Sequence, residues 1–365
     1  MQKKLIALAI AGLASSAAFA QSNVTVYGIV DAGMNVTDYD GAAKSTTAVH
    51  GGGLATSRIG FKGAEDLGNG LKAIFTLEYA LYNDVNSTIG ATAGASSTTF
   101  NARQSLVGLS DAKFGTVVLG RLQTVGWGFA AGGTALGGST ALGANYLAGS
   151  NVMLSASGRS DNAVAYVSPT WNGVSFELNH GRLTETAGST GVSDAYANLV
   201  GLNYANGPLT AGIAYSKLSD ITTTVTLGGI SALGTKAVNG SDVTEWGLRA
   251  GYDFKVAKLQ AAYTNLKGET NAGTYQDDDK YVLSVTVPVT AKGAIIGEYA
   301  NVRVKYDNLA AGGNADRNVW SVAYKHDLSK RTALYAGYAA VNTDSANSAT
   351  AGDYSRLAAG VTHAF

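Results

Sequence analysis

Four histidines (His50, His180, His326 and His363), no cysteine, and equal numbers of acidic and basic side chains bound the chemistry open to this 365-residue chain. No serine and acid accompany any histidine in a triad-like arrangement. No two histidines have metal-ligand spacing. Without cysteine there is no thiolate chemistry and no disulfide framework. The glycine-rich stretches do not join a strand to a helix, so they are not phosphate loops. The chain therefore reads as a non-enzyme with no cofactor. Fixed charge remains as its working chemistry. Asp277-Asp278-Asp279, which follow Glu269 in one connection, are either a solvated acidic loop or, less simply, a surface site for a divalent cation. Between Ala112 and Ser160 there is no Asp or Glu, although Lys113, Arg121 and Arg159 lie in that span.

The elements that would position such charges are strands. Charged residues are only 14% of the chain, with 47 glycines, 19 tyrosines and 3 prolines; soluble domains average about 25% charged residues. Zero net charge argues against bulk nucleic-acid affinity. The first 20 residues stand apart. Lys3 and Lys4, the apolar run Leu5 to Leu13 and the Ala18-Phe19-Ala20 cleavage site read as a signal peptide, so the mature chain is expected to start at Gln21. Beyond it no apolar run reaches the roughly 18 residues of a membrane helix.

Alternation with period two recurs throughout instead. In Thr244 to Phe254, Trp246, Leu248, Ala250, Tyr252 and Phe254 share one face, opposite Glu245, Gly247, Arg249, Gly251 and Asp253. Successive strand side chains point to opposite faces. Sixteen segments of this kind are expected, near 23–35, 57–65, 71–82, 103–110, 115–122, 163–168, 174–183, 195–205, 209–219, 242–254, 257–268, 280–289, 293–305, 317–327, 332–342 and 355–365. The connections alternate between short turns such as Asp66 to Gly70 and long loops such as 123–162. Outer-membrane barrels sort their connections in this way, with short turns at the periplasmic rim and long loops outside. Closure also removes the sheet edge that lipid could not satisfy. The expected fold is all-β, a single domain over 21–365. It is a 16-stranded antiparallel transmembrane β-barrel with short periplasmic turns and long extracellular loops.

Strand parity turns Arg58 and Lys62 away from Ile59 and Phe61, into the lumen. It sets Arg103 and Ser105 against Leu106, and Arg121 against Leu122. Lys72 and Glu78 oppose Phe75, Leu77 and Tyr79, and with Asp31 are expected to line the pore. The longest connection, 123–162, holds seven glycines between Gly126 and Gly143. Gly126, Trp127, Gly128 and Phe129 are its candidate constriction residues. A connection this long is functional or disordered, and it lacks the composition of disorder.

The chain resembles the porin family of Gram-negative β-proteobacteria, the type found in Neisseria, Bordetella and Burkholderia. The residues that carry the resemblance are Val24 to Gly33, Ser57 to Ala73, Arg103 to Leu109, Phe114 to Arg121 and the terminal Phe365. It implies a homotrimer of 16-stranded barrels, each narrowed by an inward-folded third loop facing wall arginines. By motif Arg58, Arg103 and Arg159 match those wall positions, and Phe365 matches the signal read by the barrel-assembly machinery. Outer-membrane lipid and lipopolysaccharide are the implied surroundings. At the loop the chain departs from the family. Where many members have a Pro-Glu-Phe-Gly-type motif, this one reads Val125-Gly126-Trp127-Gly128-Phe129. The expected function is a general diffusion channel for small solutes and ions. A row of arginines without opposing loop acids favours anions. The rival readings are a substrate-specific channel, or a non-conducting adhesin or structural barrel.

Overall fold

A computed structural model of the chain describes residues 23–41, 44–84, 102–148, 158–182, 195–221, 241–269, 275–306, 315–345 and 353–365. The expected signal peptide, 1–20, lies outside the described residues. Seventeen strands form one antiparallel sheet. They are β1 (Asn23–Tyr39), β2 (Thr46–Gly51), β3 (Arg58–Gly68), β4 (Leu71–Ala80), β5 (Ala102–Asp111), β6 (Gly115–Gln123), β7 (Arg159–Val167), β8 (Val174–Arg182) and β9 (Tyr196–Asn206). There follow β10 (Leu209–Ile221), β11 (Ser241–Asp253), β12 (Lys258–Glu269), β13 (Tyr275–Pro288), β14 (Gly293–Tyr306), β15 (Ala315–Asp327), β16 (Thr332–Ser345) and β17 (Tyr354–Ala364).

These make a closed barrel of sixteen staves, because β2 and β3 are two pieces of one. Both pair with β1, β2 opposite Ala32 to Thr37 and β3 opposite Asn23 to Ile29. The barrel closes where β17 pairs with the other edge of β1. There the backbones of Gly28 and Phe365 exchange two hydrogen bonds, at 3.2 and 3.1 Å. The short turns carry the backbone that tight hairpins need. Asn69–Gly70 and Asn172–Gly173 both have positive φ, the requirement of a type I′ turn.

Outward positions show the apolar alternation that lipid demands. Met34, Val107, Leu119, Leu248, Leu283 and Leu357 are all exposed hydrophobics. Just below the long-loop rim, Tyr215, Trp246, Tyr263, Tyr281, Tyr299, Trp320 and Tyr338 form a belt over β10 to β16. Neighbouring rings in it approach to 5.3 Å for Trp246 and Tyr263, and 4.9 Å for Tyr263 and Tyr281. Three histidines hydrogen-bond to neighbours on this outer surface: His180 with Asn198, His326 with Tyr324, and His363 with Thr332.

Two expectations are corrected here. Asp277, Asp278 and Asp279 lie within β13, not in a loop. Strand parity therefore splits them. Asp277 and Asp279 face outward and meet Lys267, Asn265, Tyr263 and Lys305, while Asp278 is buried. Among the described residues, no group of three His, Cys, Asp or Glu side chains is placed to hold a metal. Second, β7 starts at Arg159 rather than 163, and the connection before it has structure of its own. It contains helix α1 (Val125–Gly133) and the single turn α2 (Ala144–Leu147).

Candidate pore constriction

Four of the nine α1 residues are glycine, each costing about 1 kcal/mol of helix propensity relative to alanine. So short a helix is marginal alone even with good formers. The barrel wall supplies what the sequence lacks. Thr124, at the N-cap, makes no side-chain capping bond. Instead the Val125 amide donates to Asn179 Oδ1 of β8 at 2.6 Å. At the other end Gln260 Nε2 of β12 donates to the Gly132 carbonyl at 3.0 Å. Val125 and Phe129, one turn apart, face the wall and are buried. They join an apolar seam with Ala197, Leu199, Leu218, Val243, Leu266, Val282, Val302, Val319 and Val341, which continues to Leu147 of α2. Glycines at the contact let the loop lie close. A Cβ at Gly201 would meet Val125 Cγ1 at 2.6 Å, and one at Gly133 would meet the Ala262 methyl at 2.8 Å.

Beyond α1 the loop follows the inner wall. Glu298 of β14 is 4% exposed and accepts from the Thr134 hydroxyl, the Leu136 amide, the Asn145 amide and Ser284 Oγ. Arg317 Nη1 donates to the Leu147 carbonyl and Arg356 Nη1 to the Thr140 carbonyl, both at 3.5 Å. The loop also rests on 52–57, the segment that interrupts the second stave. Thr140 donates its amide to the Gly52 carbonyl, and Ser139 its hydroxyl to that of Gly53.

Segment 52–57 is held by Asp31. Its carboxylate accepts from the amides of Gly53, Leu54 and Ala55 at 2.7, 2.9 and 3.1 Å, and from the Tyr335 hydroxyl at 2.9 Å. The expectation that Asp31 lines the open pore is corrected: it points inward but is fully buried, because three backbone amides have replaced its water.

The loop therefore runs along the lumen from Asn179 of β8 to Arg356 of β17 and faces the β3–β7 side. On that side lie three of the expected arginines. Arg103 Nε sits 2.7 Å from Glu78 Oε1, and Arg58 Nε 3.8 Å from Glu78 Oε2. Tyr27 donates its hydroxyl to the same carboxylate. Arg159 stacks on the Trp127 ring at 4.3 Å, with Arg103 at 5.7 Å. A cation over an indole face is attracted by the ring quadrupole. Arg58 and Arg103 thus share one carboxylate, and Arg103 and Arg159 one indole. Nε and Nη2 of Arg159 have no hydrogen-bond partner among the described residues. At Gly128 an added Cβ would meet nothing within 4 Å, so this turn of α1 borders open space. Lys62 lies over the Tyr27 ring at 5.2 Å. Lys72 faces inward beside Asp66, near the short-turn rim and away from the loop.

Arg121 is a correction. Leu122 is the inward residue, 1% exposed and packed with Ala163 and Ala165. Arg121 shares the side of Val117 and Leu119, both exposed, and pairs with Asp161 at 2.6 Å. The irregular register between Gly120 and Leu122 lies at this point. A second shift, between Glu78 and Tyr79, leaves Arg103 as an extra residue opposite β4. Leu106 packs inward there, the reverse of simple parity, and Arg103 reaches the lumen through the bulge. Sequence reasoning missed Asn179, Gln260 and Glu298 as loop anchors. Their inward parity was readable, but nothing in the chain marks which inward polar residues the loop will touch.

A closed barrel with a lipid-facing exterior, a polar interior and a loop folded across part of its lumen defines a transmembrane pore. The chain belongs to the Gram-negative porin family, whose model it matches over residues 7–346. It is 32% identical to outer membrane porin protein 32 of Delftia acidovorans, over 93% of this chain and 89% of that protein. It is 28% identical to an outer membrane porin protein of Bordetella pertussis, over 92% of this chain and 93% of that protein. Among solved structures it is similar to the anion-selective porin from Comamonas acidovorans. That match has a TM-score of 0.72 and 27% identity, and covers 94% of this chain and all of the other. The protein is an outer-membrane porin.

Proposed function

We propose that the channel passes small hydrophilic solutes passively and favours anions, with Arg58, Arg103 and Arg159 as the wall charges and Trp127 to Phe129 as the facing loop. The observation that carries this reading is the cluster itself. Two guanidinium groups share one carboxylate, a third lies on the Trp127 ring, and the loop across from them has no acid. Walls of low dielectric focus such a field into the aqueous path. Similarity to a porin described as anion-selective supports the same reading. The test is single-channel conductance in planar bilayers, with reversal potential in a KCl gradient. Large steps and an anion-selective reversal potential are expected. Reversal on the cation side would sink the positive constriction and leave the pore.

The reading includes a homotrimer, supported by asymmetry of the outer surface. The aromatic belt, which suits a membrane interface, ends at Tyr338. Its row continues through Leu357 to Val36, beside Met34 and Val49, which are 59% and 58% exposed. This flat aliphatic face on β17, β1 and β2 is the proposed subunit contact. Met34→Lys is expected to abolish the trimer band on unheated gels and to turn threefold conductance steps into single ones. A surviving trimer would place the contact elsewhere. Above the belt, Lys217, Lys267 and Lys305 have exposed side chains, a charge pattern compatible with lipopolysaccharide headgroups. Cleavage before Gln21, and reading of Phe365 by the barrel-assembly machinery, complete the proposal.

A further inference from the structure

Below the loop, on the short-turn side, the lumen contains a cavity of about 600 Å³, within the roughly 300–1,000 Å³ typical of small-molecule sites. Its roof is the end of α1 and the residues after it, Ala131 to Leu136. Its wall is the inward row of β12 to β15, in which Lys258 pairs with Thr286 and Lys325 with Ala294. Three lysines converge on it from separate places: Lys258 at the start of β12, Lys292 in the turn before β14, and Lys325 in β15. Asp327 is the single carboxylate in the lining, and Lys325 holds it at 2.7 Å. Several other polar groups of the lining are already engaged, and Thr290 Oγ1 accepts from the Lys292 amide. The Thr134 hydroxyl is bound to Glu298 and the Gln260 amide to Gly132. The charged donors that face the cavity are the ammonium groups of the three lysines, beside an apolar surface that includes Leu54, Pro288 and Ile296.

We propose that this cavity is a weak binding pocket for small phosphate-bearing solutes, occupied after they pass the arginines. Lysine is a compact charge with three donors, which can approach a tetrahedral phosphate from several sides. A planar carboxylate is better met by the fork of arginine. Conduction needs sites weak enough to release the solute, and two in series satisfy that requirement. The inference rests on the channel reading, which KCl conductance measures separately.

The test adds inorganic phosphate at constant KCl to the full-length protein in planar bilayers and reads concentration-dependent current noise. Line broadening of the phosphate signal in phosphorus NMR, with detergent-solubilised protein, gives the same comparison without a membrane. Lys258→Gln with Lys325→Gln is expected to weaken the apparent affinity at least about tenfold, since two close charges are removed. Lys113→Gln, in the β5–β6 turn and outside the cavity lining, is expected to leave it unchanged. An unchanged affinity in the double variant overturns the proposal. So does an equal loss in Lys113→Gln, which would assign the effect to general rim charge. Phosphate binding that disappears only in Arg58→Gln with Arg159→Gln would assign it to the constriction.

Discussion

Glu298→Ala unpins the inward loop and replaces a steady current with a larger, noisier one. The buried carboxylate of Glu298 is tolerable because it accepts four hydrogen bonds; burying a charge without partners is costly. Three of those donors, on Thr134, Leu136 and Asn145, belong to two limbs of the loop. Removing the acceptor leaves them buried and unsatisfied, at about 1–3 kcal/mol each. The loop has little of its own to set against that loss, since α1 is rich in glycine and α2 is a single turn. The barrel is unaffected, because the ladders of β14 with β13 and β15 run through backbone groups. Heat-modifiable mobility on gels is therefore expected to remain while mean conductance and open-channel noise rise. Quiet conductance at the parent level would show that the apolar seam around Leu147 and Phe129 holds the loop unaided.

Arg58→Gln combined with Arg159→Gln carries the reversal potential in a KCl gradient from the anion side to zero or beyond. Two charges in water at about 4 Å interact by about 1 kcal/mol, so each guanidinium lost is expected to lower the anion-to-cation permeability ratio roughly fivefold. These two are chosen over Arg103, which is 6% exposed and bound closely to Glu78; its loss would take away the nearest partner of that buried carboxylate. Glu78→Gln acts in the opposite direction and raises anion preference, since the described cluster then contains no acid. Unchanged reversal potential in the double variant would show that Arg58 and Arg159 do not set selectivity, and would move attention to Lys62 and Lys72.

Much of the fold was legible in the chain because lipid imposes a strict rule. One side of every strand must be apolar along its membrane span, so alternation such as Trp246, Leu248 and Ala250 against Glu245, Gly247 and Arg249 identifies both a strand and its inward face. The sorting of turns and loops by length then implied closure and the position of both rims. The absence of acids between Ala112 and Ser160 was equally visible. Two readings by parity went wrong for different reasons. Alternation itself holds at Arg121, which follows Val117 and Leu119 outward, while Leu122 is the inward residue; the shift at Glu78 carried Arg103 inward by a bulge rather than by alternation.

Local sequence could not show that Asp31 would be buried under three amides, because those amides belong to a segment over twenty residues away. Nor could it show a helix at Val125–Gly133, whose glycines oppose one until Asn179, Gln260 and the apolar seam supply the missing support. By itself the sequence determined the staves and most of their inner faces. Only the tertiary structure decided which inward charges face water and which hold the loop, because that depends on contacts between staves far apart in the chain.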